Sequence, residues 1–246
     1  MLCHLHRFFV QPDCIAHGEC IVCGEDVKHI SKVLRLRAGD ELIICDSCGS
    51  DYVCAIENIS PSQVTARILS MSPNTAESPL HITVYQGLPK SDKMDYIVQK
   101  CVELGVVSIV PVVTARAVVK LHDEEKKRTR WQKIAAEAAK QCGRGIIPQV
   151  GKAQSFAEII DNLDSDALNI LPYENENQHR LKDALCGFAG NKVNIIIGPE
   201  GGFDPSETDA ALQKGVHVVT LGPRILRTET APIAAVSAVM YQLGDW

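Results

Sequence analysis

The chain has 246 residues, of which 46% are hydrophobic and 22% charged. These proportions are typical of globular proteins and exclude a disordered or fibrous chain. No apolar run reaches the ~18–20 residues that a membrane-spanning helix needs, and residues 1–7 lack the basic and apolar regions of a secretory leader. A soluble, cytoplasmic protein with no membrane partner is therefore expected.

The net charge of −5 is unevenly distributed along the chain. Residues 81–150 carry 12 basic and 7 acidic side chains, whereas residues 151–246 carry 7 basic and 13 acidic ones. The overall charge argues weakly against a nucleic-acid partner. A basic block within an acidic chain can nevertheless bind a polyanion locally, so the distribution favours such a partner.

Residues 1–72 are predicted to form a small β-barrel or compact sheet. Apolar and polar residues alternate over residues 52–57 and 64–68, and residues 46–50 have the composition of a turn. One helix is predicted within this region, with Lys28, Lys32 and Arg35 on the same face. Residues 73–80 are polar and proline-bracketed, which indicates a linker.

From residue 81 onward, predicted strands alternate with predicted helices. The strands are expected at residues 82–86, 108–113, 168–171, 193–197 and 216–221. The helices are expected after Ser91 as an N-cap, at residues 123–142, after the capping boxes Ser155/Glu158 and Asp204/Glu207, and at residues 232–243. This alternation predicts an α/β domain over residues 81–246 with a parallel sheet, whose ligand lies at the carboxyl ends of the strands.

The common cofactor and metal motifs give little support to other chemistries. No strand is followed by G-x-G-x-x-G, and no segment fits a P-loop. The pairs Cys20/Cys23 and Cys45/Cys48 have the C-x-x-C spacing of zinc knuckles, but the 21 residues between them are slightly too many. Ten cysteines scattered among apolar residues are expected to be reduced and to pack as small hydrophobic groups, with no bound metal.

Three loops follow predicted strands, at residues 172–174, 198–202 and 222–227, and the last two are unusual in composition. Residues 198–202 contain three glycines, which permit close approach of the backbone to a ligand but also suit a tight turn. Arg224, Arg227 and Glu229 are crowded into a segment of small and apolar residues. Charges in such a segment are costly unless they are paired or used, so the loops indicate a functional site.

The motifs at residues 197–203 and 221–231 resemble those of the RsmE-type family of ribosomal RNA methyltransferases. Further matching segments lie at residues 7–10, 29–35, 93–105, 141–144 and 171–174, so the resemblance covers nearly the whole chain. Two departures are Cys48, where the family usually has glycine, and residues 114–116, where only the arginine is kept.

The resemblance implies a fold, an activity and an assembly. The fold is a PUA-like β-barrel followed by a SPOUT-class parallel-sheet domain with a deep trefoil knot. The activity is S-adenosylmethionine-dependent methylation of N3 of one uridine, position 1498 in standard numbering, in 16S ribosomal RNA of the small subunit. Family members are homodimers, and the apolar residues around the predicted helix 232–243 independently favour contact with a second chain.

The resemblance also implies individual residue roles. Arg227 is expected to stabilise the uracil anion through two hydrogen bonds, with Glu229 orienting Arg227 or accepting the N3 proton. The cofactor-binding residues expected from the three loops are Leu171, Pro172, Tyr173, Glu174, Gly198, Pro199, Glu200, Gly201, Gly202, Leu221, Gly222, Ile225, Leu226 and Thr230. The RNA-binding residues expected from the basic positions are Arg7, Lys28, Lys32, Arg35, Lys90, Lys93, Arg116 and Arg144.

Two other functions remain open from the sequence. A SPOUT-class methyltransferase acting on another RNA would share all of these motifs. A relative that binds RNA without catalysis would share the fold, although the intact segment 227–230 argues against it.

Overall fold

The computed structural model describes residues 5–117 and 123–246, which form two compact units. The first unit contains the chain up to Glu77 together with Ala139–Ile147, and the second contains Ser78–Ala138 and Pro148–Trp246. Within the first unit, Asn74 Nδ2 donates to the carbonyl oxygen of Gly143 at 3.1 Å, which ties the later segment to the earlier one. The sequence did not indicate this return, and the boundaries at residues 72 and 81 stay a prediction.

A six-stranded half-barrel sheet forms the first unit. Its strands are β1 (Arg7–Phe9), β2 (Ile15–Ala16), β3 (Glu19–Cys23), β4 (Glu41–Cys45), β5 (Ser50–Ile59) and β6 (Gln63–Pro73). Their order is β1-β4-β5-β6-β3-β2, and only the β1/β4 pair is parallel. Large apolar side chains such as Phe8, Ile30 and Ile56 fill its core. The predicted compact β-sheet region is confirmed.

The predicted helix of the first unit differs in shape from the expectation. A 3₁₀ turn at Pro12–Cys14 precedes it, helix α1 covers only Glu25–Lys28, and a π-helical turn follows at His29–Val33. Arg35 lies beyond both, with a φ of 55°. The π turn changes the angular spacing of side chains, so the shared helical face expected for Lys28, Lys32 and Arg35 is wrong for Arg35.

Two arginines of the first unit are committed to ion pairs. Arg7 donates to both carboxylate oxygens of Asp51, at 2.6 and 2.9 Å. Arg144 donates to Glu77 at 2.7 Å, and its side chain is only 3% exposed. A guanidinium buried in such a pair is not free to bind phosphate, because removal from its carboxylate would leave an unpaired charge. Arg7 and Arg144 therefore have structural roles, and the RNA contacts expected of them stay a prediction.

The cysteines of the paired C-x-x-C motifs lie in different environments. Cys20 and Cys45 are buried, whereas Cys23 and Cys48 are exposed. Burial raises the pKa of the Cys45 thiol to about 12, so this group stays neutral. Cys20 Sγ lies 3.7 Å from Cys54 Sγ in the core. Within residues 5–117 and 123–246, no three His, Cys, Asp or Glu side chains are grouped in a way that would hold a metal ion.

The second unit contains an entirely parallel sheet of seven strands. They are β7 (His81–Gly87), β8 (Ser108–Val113), β9 (Gln149–Val150), β10 (Gln154–Ser155), β11 (Leu168–Pro172), β12 (Lys192–Ile197) and β13 (His217–Val219). The order is β10-β8-β7-β12-β11-β13, with β9 also paired to β8. The predicted α/β class and parallel sheet are confirmed, and the trefoil knot stays a prediction.

Within the described residues, six helices follow β7 along the chain. They are α2 (Lys93–Glu103), α3 (Glu124–Cys142), α4 (Phe156–Asp161), α5 (Leu181–Leu185), α6 (Pro205–Gln213) and α7 (Ala231–Leu243). Both predicted capping boxes are present at the starts of α4 and α6. The N-cap expected at Ser91 is wrong, because α2 begins after Asp92 and Ser91 has a φ of 59°.

Helix α7 presents two different surfaces. Ala235, Val236, Val239 and Met240 are buried within the unit, whereas the side chain of Tyr241 is 74% exposed. No described helix has the length and apolar character required to cross a bilayer.

Candidate active site

The loops after three adjacent parallel strands meet in one cleft of about 790 Å³. The strands are β12, β11 and β13, whose carboxyl ends lie side by side at one edge of the sheet. Ligands of open α/β sheets bind at this edge. The cleft is lined by residues from segments 172–180, 197–203 and 220–231, together with Lys93.

Most of the expected cofactor residues line this cleft. The lining members are Pro172, Tyr173, Glu174, Gly198, Pro199, Glu200, Gly201, Gly202, Leu221, Gly222, Ile225 and Leu226. Leu171 is instead fully buried in the core, where it packs with Phe203 and Ile196. Thr230 is the N-cap of α7 and does not line the cleft. Direct cofactor contact by these two residues is not supported by the cleft lining and stays a prediction.

The loop at residues 198–202 is tightly packed against its neighbours. Gly202 has a φ of 65°, and a Cβ at this position would collide with the Glu174 carboxylate. A Cβ at Gly201 would lie 3.2 Å from Cβ of Arg116. Arg116 also lies 3.5 Å from Asp204, which caps α6. The glycines thus allow three segments to approach one another at the cleft.

The loop at residues 221–230 leaves both space and apolar surface in the cleft. Gly222 has a φ of 108°, and no heavy atom lies within 4 Å of the position that its Cβ would occupy. The Ile225 side chain is 83% exposed although it lines a cleft. An exposed isoleucine next to open space is suited to packing against a flat apolar ligand.

The loop at residues 172–180 forms another wall of the cleft, and the carboxylate of Glu176 stabilises this loop. Glu176 accepts hydrogen bonds from the backbone N–H groups of Gln178 and His179, at 2.6 and 3.1 Å, and contacts the His179 ring at 3.1 Å. These hydrogen bonds lower the pKa of Glu176 to about 2. The sequence reasoning missed this part of the wall, which also includes Asn177 and Arg180.

The stabilising effect of Glu176 should depend on pH. Its pKa is lowered on folding, so its contribution is fully present above the unfolded value and is lost as pH falls from about 4.5 to about 2. We expect E176Q to be less stable than wild type at pH 6, and the difference between the two proteins to shrink towards pH 2.5. Urea unfolding at a series of pH values measures it, and a constant difference would contradict this role.

A lysine lies between two carboxylates at the cleft. Lys93 Nζ is 2.9 Å from Glu200 Oε1 and 3.0 Å from Glu229 Oε2. Hydrogen bonds to Glu200 and then to Glu229 raise the pKa of Lys93. Burial acts to raise the pKa of Glu229, but a backbone hydrogen bond and Lys93 lower it overall. The close ion pair of Glu229 is therefore with Lys93, while Arg227 acts on Glu229 through its charge, and both roles expected of Glu229 stay predictions.

Arg227 contributes a positive charge to the lining of the cleft. Its side chain lines the cleft and is exposed, and the described residues provide it with no hydrogen bond or ion pair. The neighbouring Thr228 is buried instead and donates to the carbonyl oxygen of Gly198 at 2.8 Å. An unpaired guanidinium beside an apolar surface can bind a planar anion by two parallel hydrogen bonds.

The remaining expected RNA-binding residues are divided between the two units. Lys28, Lys32 and Arg35 are exposed on the first unit. In the second unit, the backbone N–H of Lys90 donates to Glu200 at 3.2 Å, so Lys90 lies near the cleft with its side chain exposed. Arg116 lies beside Gly201, and Lys93 lines the cleft itself.

Comparisons with known proteins assign the chain to a class. The RNA methyltransferase domain matches residues 76–240, and the RNA methyltransferase PUA domain matches residues 22–69. The protein is thus an RNA methyltransferase with an N-terminal PUA domain, as the sequence resemblance predicted.

Individual relatives specify the family. The ribosomal RNA small subunit methyltransferase E of Bacillus subtilis is 36% identical over 228 residues, which cover 90% of this chain and 89% of that protein. The same enzyme from Neisseria gonorrhoeae, solved with bound S-adenosyl methionine, is 32% identical with a TM-score of 0.91, covering 99% of this chain and 100% of the other. A methyltransferase from Legionella pneumophila, solved with SAM, is 31% identical with a TM-score of 0.88 and the same coverage. The chain belongs to the ribosomal RNA small subunit methyltransferase E family.

Proposed function

We propose that this protein uses S-adenosylmethionine to methylate N3 of a uridine, position 1498 in standard numbering, in 16S ribosomal RNA of the small subunit. The observation that carries the proposal is the meeting of three loops in one cleft, which contains the unpaired Arg227 guanidinium beside exposed apolar surface. The name of the relatives supports the ribosomal substrate. The proposed place of action is the cytoplasm.

The cleft fits S-adenosylmethionine on two observations. Ile225 exposes its side chain where an adenine ring would need an apolar face, and Gly222 leaves the adjoining space open. Leu221 and Leu226 would complete the sandwich, with backbone groups of the same loop bonding the edges of the ring. When bound, the cofactor supplies an activated methyl group for transfer to a nucleophile.

Arg227 would stabilise the reacting base. Loss of the N3 proton places negative charge on O2 and O4 of uracil, and a fixed guanidinium can donate two hydrogen bonds to such an anion. The availability of its donors supports this role, because the side chain has no hydrogen bond or close ion pair within the described residues, although the Glu229 carboxylate interacts with its charge. Orientation of the anion towards the methyl carbon then provides a large part of the catalysis.

Glu229 would act beside Arg227 as an ionised group. Its lowered pKa keeps the carboxylate deprotonated at neutral pH, so it can accept a proton, although more weakly than an ordinary glutamate. Its contact with Lys93 would also hold that ammonium group at the cleft. Because deprotonation of uracil limits the reaction, activity is expected to increase with pH towards the pKa of the base.

The RNA would contact exposed basic side chains on both units. Lys28, Lys32 and Arg35 are the candidates on the PUA unit, and Lys90 and Arg116 are the candidates near the cleft. Contacts of this kind position a nucleic acid without reading its sequence.

The protein should form a homodimer through the exposed side of α7. Ala238 and Tyr241 are exposed and Ile233 and Ala234 are half-buried, so this helix presents a largely apolar surface that is unfavourable in water. Sedimentation at micromolar concentration is expected to give twice the chain mass of 26.8 kDa. Y241E should shift the protein towards monomer, and a monomeric wild type would contradict the proposal.

The activity is tested by incubation of the protein and labelled S-adenosylmethionine with purified small subunits from a strain that lacks the enzyme. Label on one uridine, located by mass mapping as N3-methyluridine, is the expected result. Label at another base or on another RNA would favour the alternative substrates. Absence of both cofactor binding and transfer would identify a non-catalytic relative.

A further inference from the structure

A buried polar pair joins the two principal loops of the cleft to the sheet beneath. Gln86, the penultimate residue of β7, is 0% exposed, and Thr228 is 5% exposed. Gln86 Nε2 donates to Thr228 Oγ1 at 3.1 Å and to the carbonyl oxygen of Gly87 at 3.0 Å. Thr228 Oγ1 in turn donates to the carbonyl oxygen of Gly198 at 2.8 Å.

This chain of hydrogen bonds reaches both loops through single atoms. Gly198 begins the glycine-rich loop at residues 198–202, and Thr228 belongs to the loop at residues 221–230. The threonine hydroxyl accepts from one side and donates to the other, so it sets the separation of the two loops. Thr228 also lies between Arg227 and Glu229, which face the cleft and Lys93 respectively.

The glutamine is an unusual choice for a buried strand position. Its Oε1 is buried and has no hydrogen-bond partner within the described residues. An unsatisfied buried acceptor is unfavourable for folding, so an apolar side chain of the same size would suit the core better. What glutamine alone provides there is the amide donor directed at Thr228.

We propose that Gln86 and Thr228 are positioning residues that fix the spacing of the cofactor loops and the direction of Arg227. Gln86 does not line the cleft, and the Thr228 hydroxyl is engaged by Gln86 and Gly198, so both residues act through Gly198 and Arg227. The proposal rests on the proposed function, since it concerns the same cleft. Its distinctive consequence is that cofactor affinity and turnover depend on these hydrogen bonds more than stability does.

The test uses Q86M, T228V and T228S in the full chain. Q86M keeps the volume but removes both the amide donor and the unpartnered oxygen, so its unfolding midpoint should stay close to that of wild type. Titration calorimetry with S-adenosylmethionine should show about tenfold weaker binding for Q86M and T228V, as expected for loss of one hydrogen bond. Single-turnover methyl transfer should also be slower at saturating cofactor, and T228S should restore both quantities.

A buried pair elsewhere in the same sheet provides the control. Asn194 Nδ2 donates to Asn169 Oδ1 at 2.8 Å, and both residues are buried away from the cleft lining. N194L should lower the unfolding midpoint but leave cofactor affinity unchanged. In addition, the double variant Q86M/T228V should bind no more weakly than the weaker single variant, because the two residues act through one connection.

Several outcomes would overturn the positioning role. The role is wrong if Q86M and T228V bind cofactor and turn over as wild type does, or if they lose only stability as N194L does. If wild type binds the cofactor and the variants bind it and turn over equally well, the positioning role is wrong but the proposed function is unaffected. Wild type that binds no cofactor would remove the proposed function and the positioning role together.

Discussion

Replacement of Arg227 with alanine is expected to lower kcat by about 10²–10³-fold, the usual effect of removing one donor that stabilises a developing anion. Cofactor and RNA affinity should change far less, because uracil becomes negatively charged only as the N3 proton leaves. The guanidinium therefore stabilises the reacting base more than it stabilises the bound substrate. Single-turnover transfer to purified small subunits measures the effect. R227K should recover little activity, since one ammonium group cannot form two parallel hydrogen bonds.

The pH dependence adds a second test of Arg227. Wild-type activity should increase with pH as the uracil anion becomes abundant, and R227A should show a steeper increase because it depends more on solvent for deprotonation. K214A is a suitable control for loss of a positive charge, because Lys214 is exposed outside the cleft and pairs with Asp161. Near-normal turnover with poor cofactor affinity in R227A would make Arg227 a structural clamp.

The sequence predicted those parts of the fold that depend on local patterns. Strand β8 (Ser108–Val113) has the expected bounds, because a short apolar run between turns has few other solutions. The starts of α4 and α6 were predicted because the residues that form a capping box are only three positions apart in the sequence.

Local patterns cannot predict which residues pair when they are far apart in the sequence. Arg144 appeared as one more basic residue, yet its partner Glu77 lies 67 positions earlier and leaves it buried. Gln86 and Thr228 are 142 positions apart, and the only local signal was a lone amide at the end of an apolar strand. In the cleft, the motifs identified the loops, but they did not show that Lys93 forms an ion pair with the Glu229 carboxylate.

The short helix α5 (Leu181–Leu185) was missed because five residues give no measurable periodicity. The same limit affected the wall formed by Glu176, whose role depends on backbone N–H groups in its own loop. Loops that are held by side-chain acceptors need the folded geometry to be recognised.

Gly222 should be the position at which one added side chain removes cofactor binding. In G222V, the branched side chain would extend into the open space beside Ile225. In addition, the backbone φ of 108° at position 222 is one that valine rarely adopts. We expect S-adenosylmethionine affinity to fall at least ~100-fold, since the loop must move or the ligand must be excluded. Titration calorimetry measures the loss.

The backbone strain in G222V must be separated from the filling of the cleft, and Gly215 allows this. It has a φ of 77°, lies in the turn before β13 and also has no heavy atom within 4 Å of its Cβ position, but it does not line the cleft. G215V should therefore lose comparable stability through the same kind of strain while it binds the cofactor normally. If both variants lose affinity equally, strain in the sheet explains the effect; if neither does, residues 221–226 form only a turn, and the cofactor must bind elsewhere.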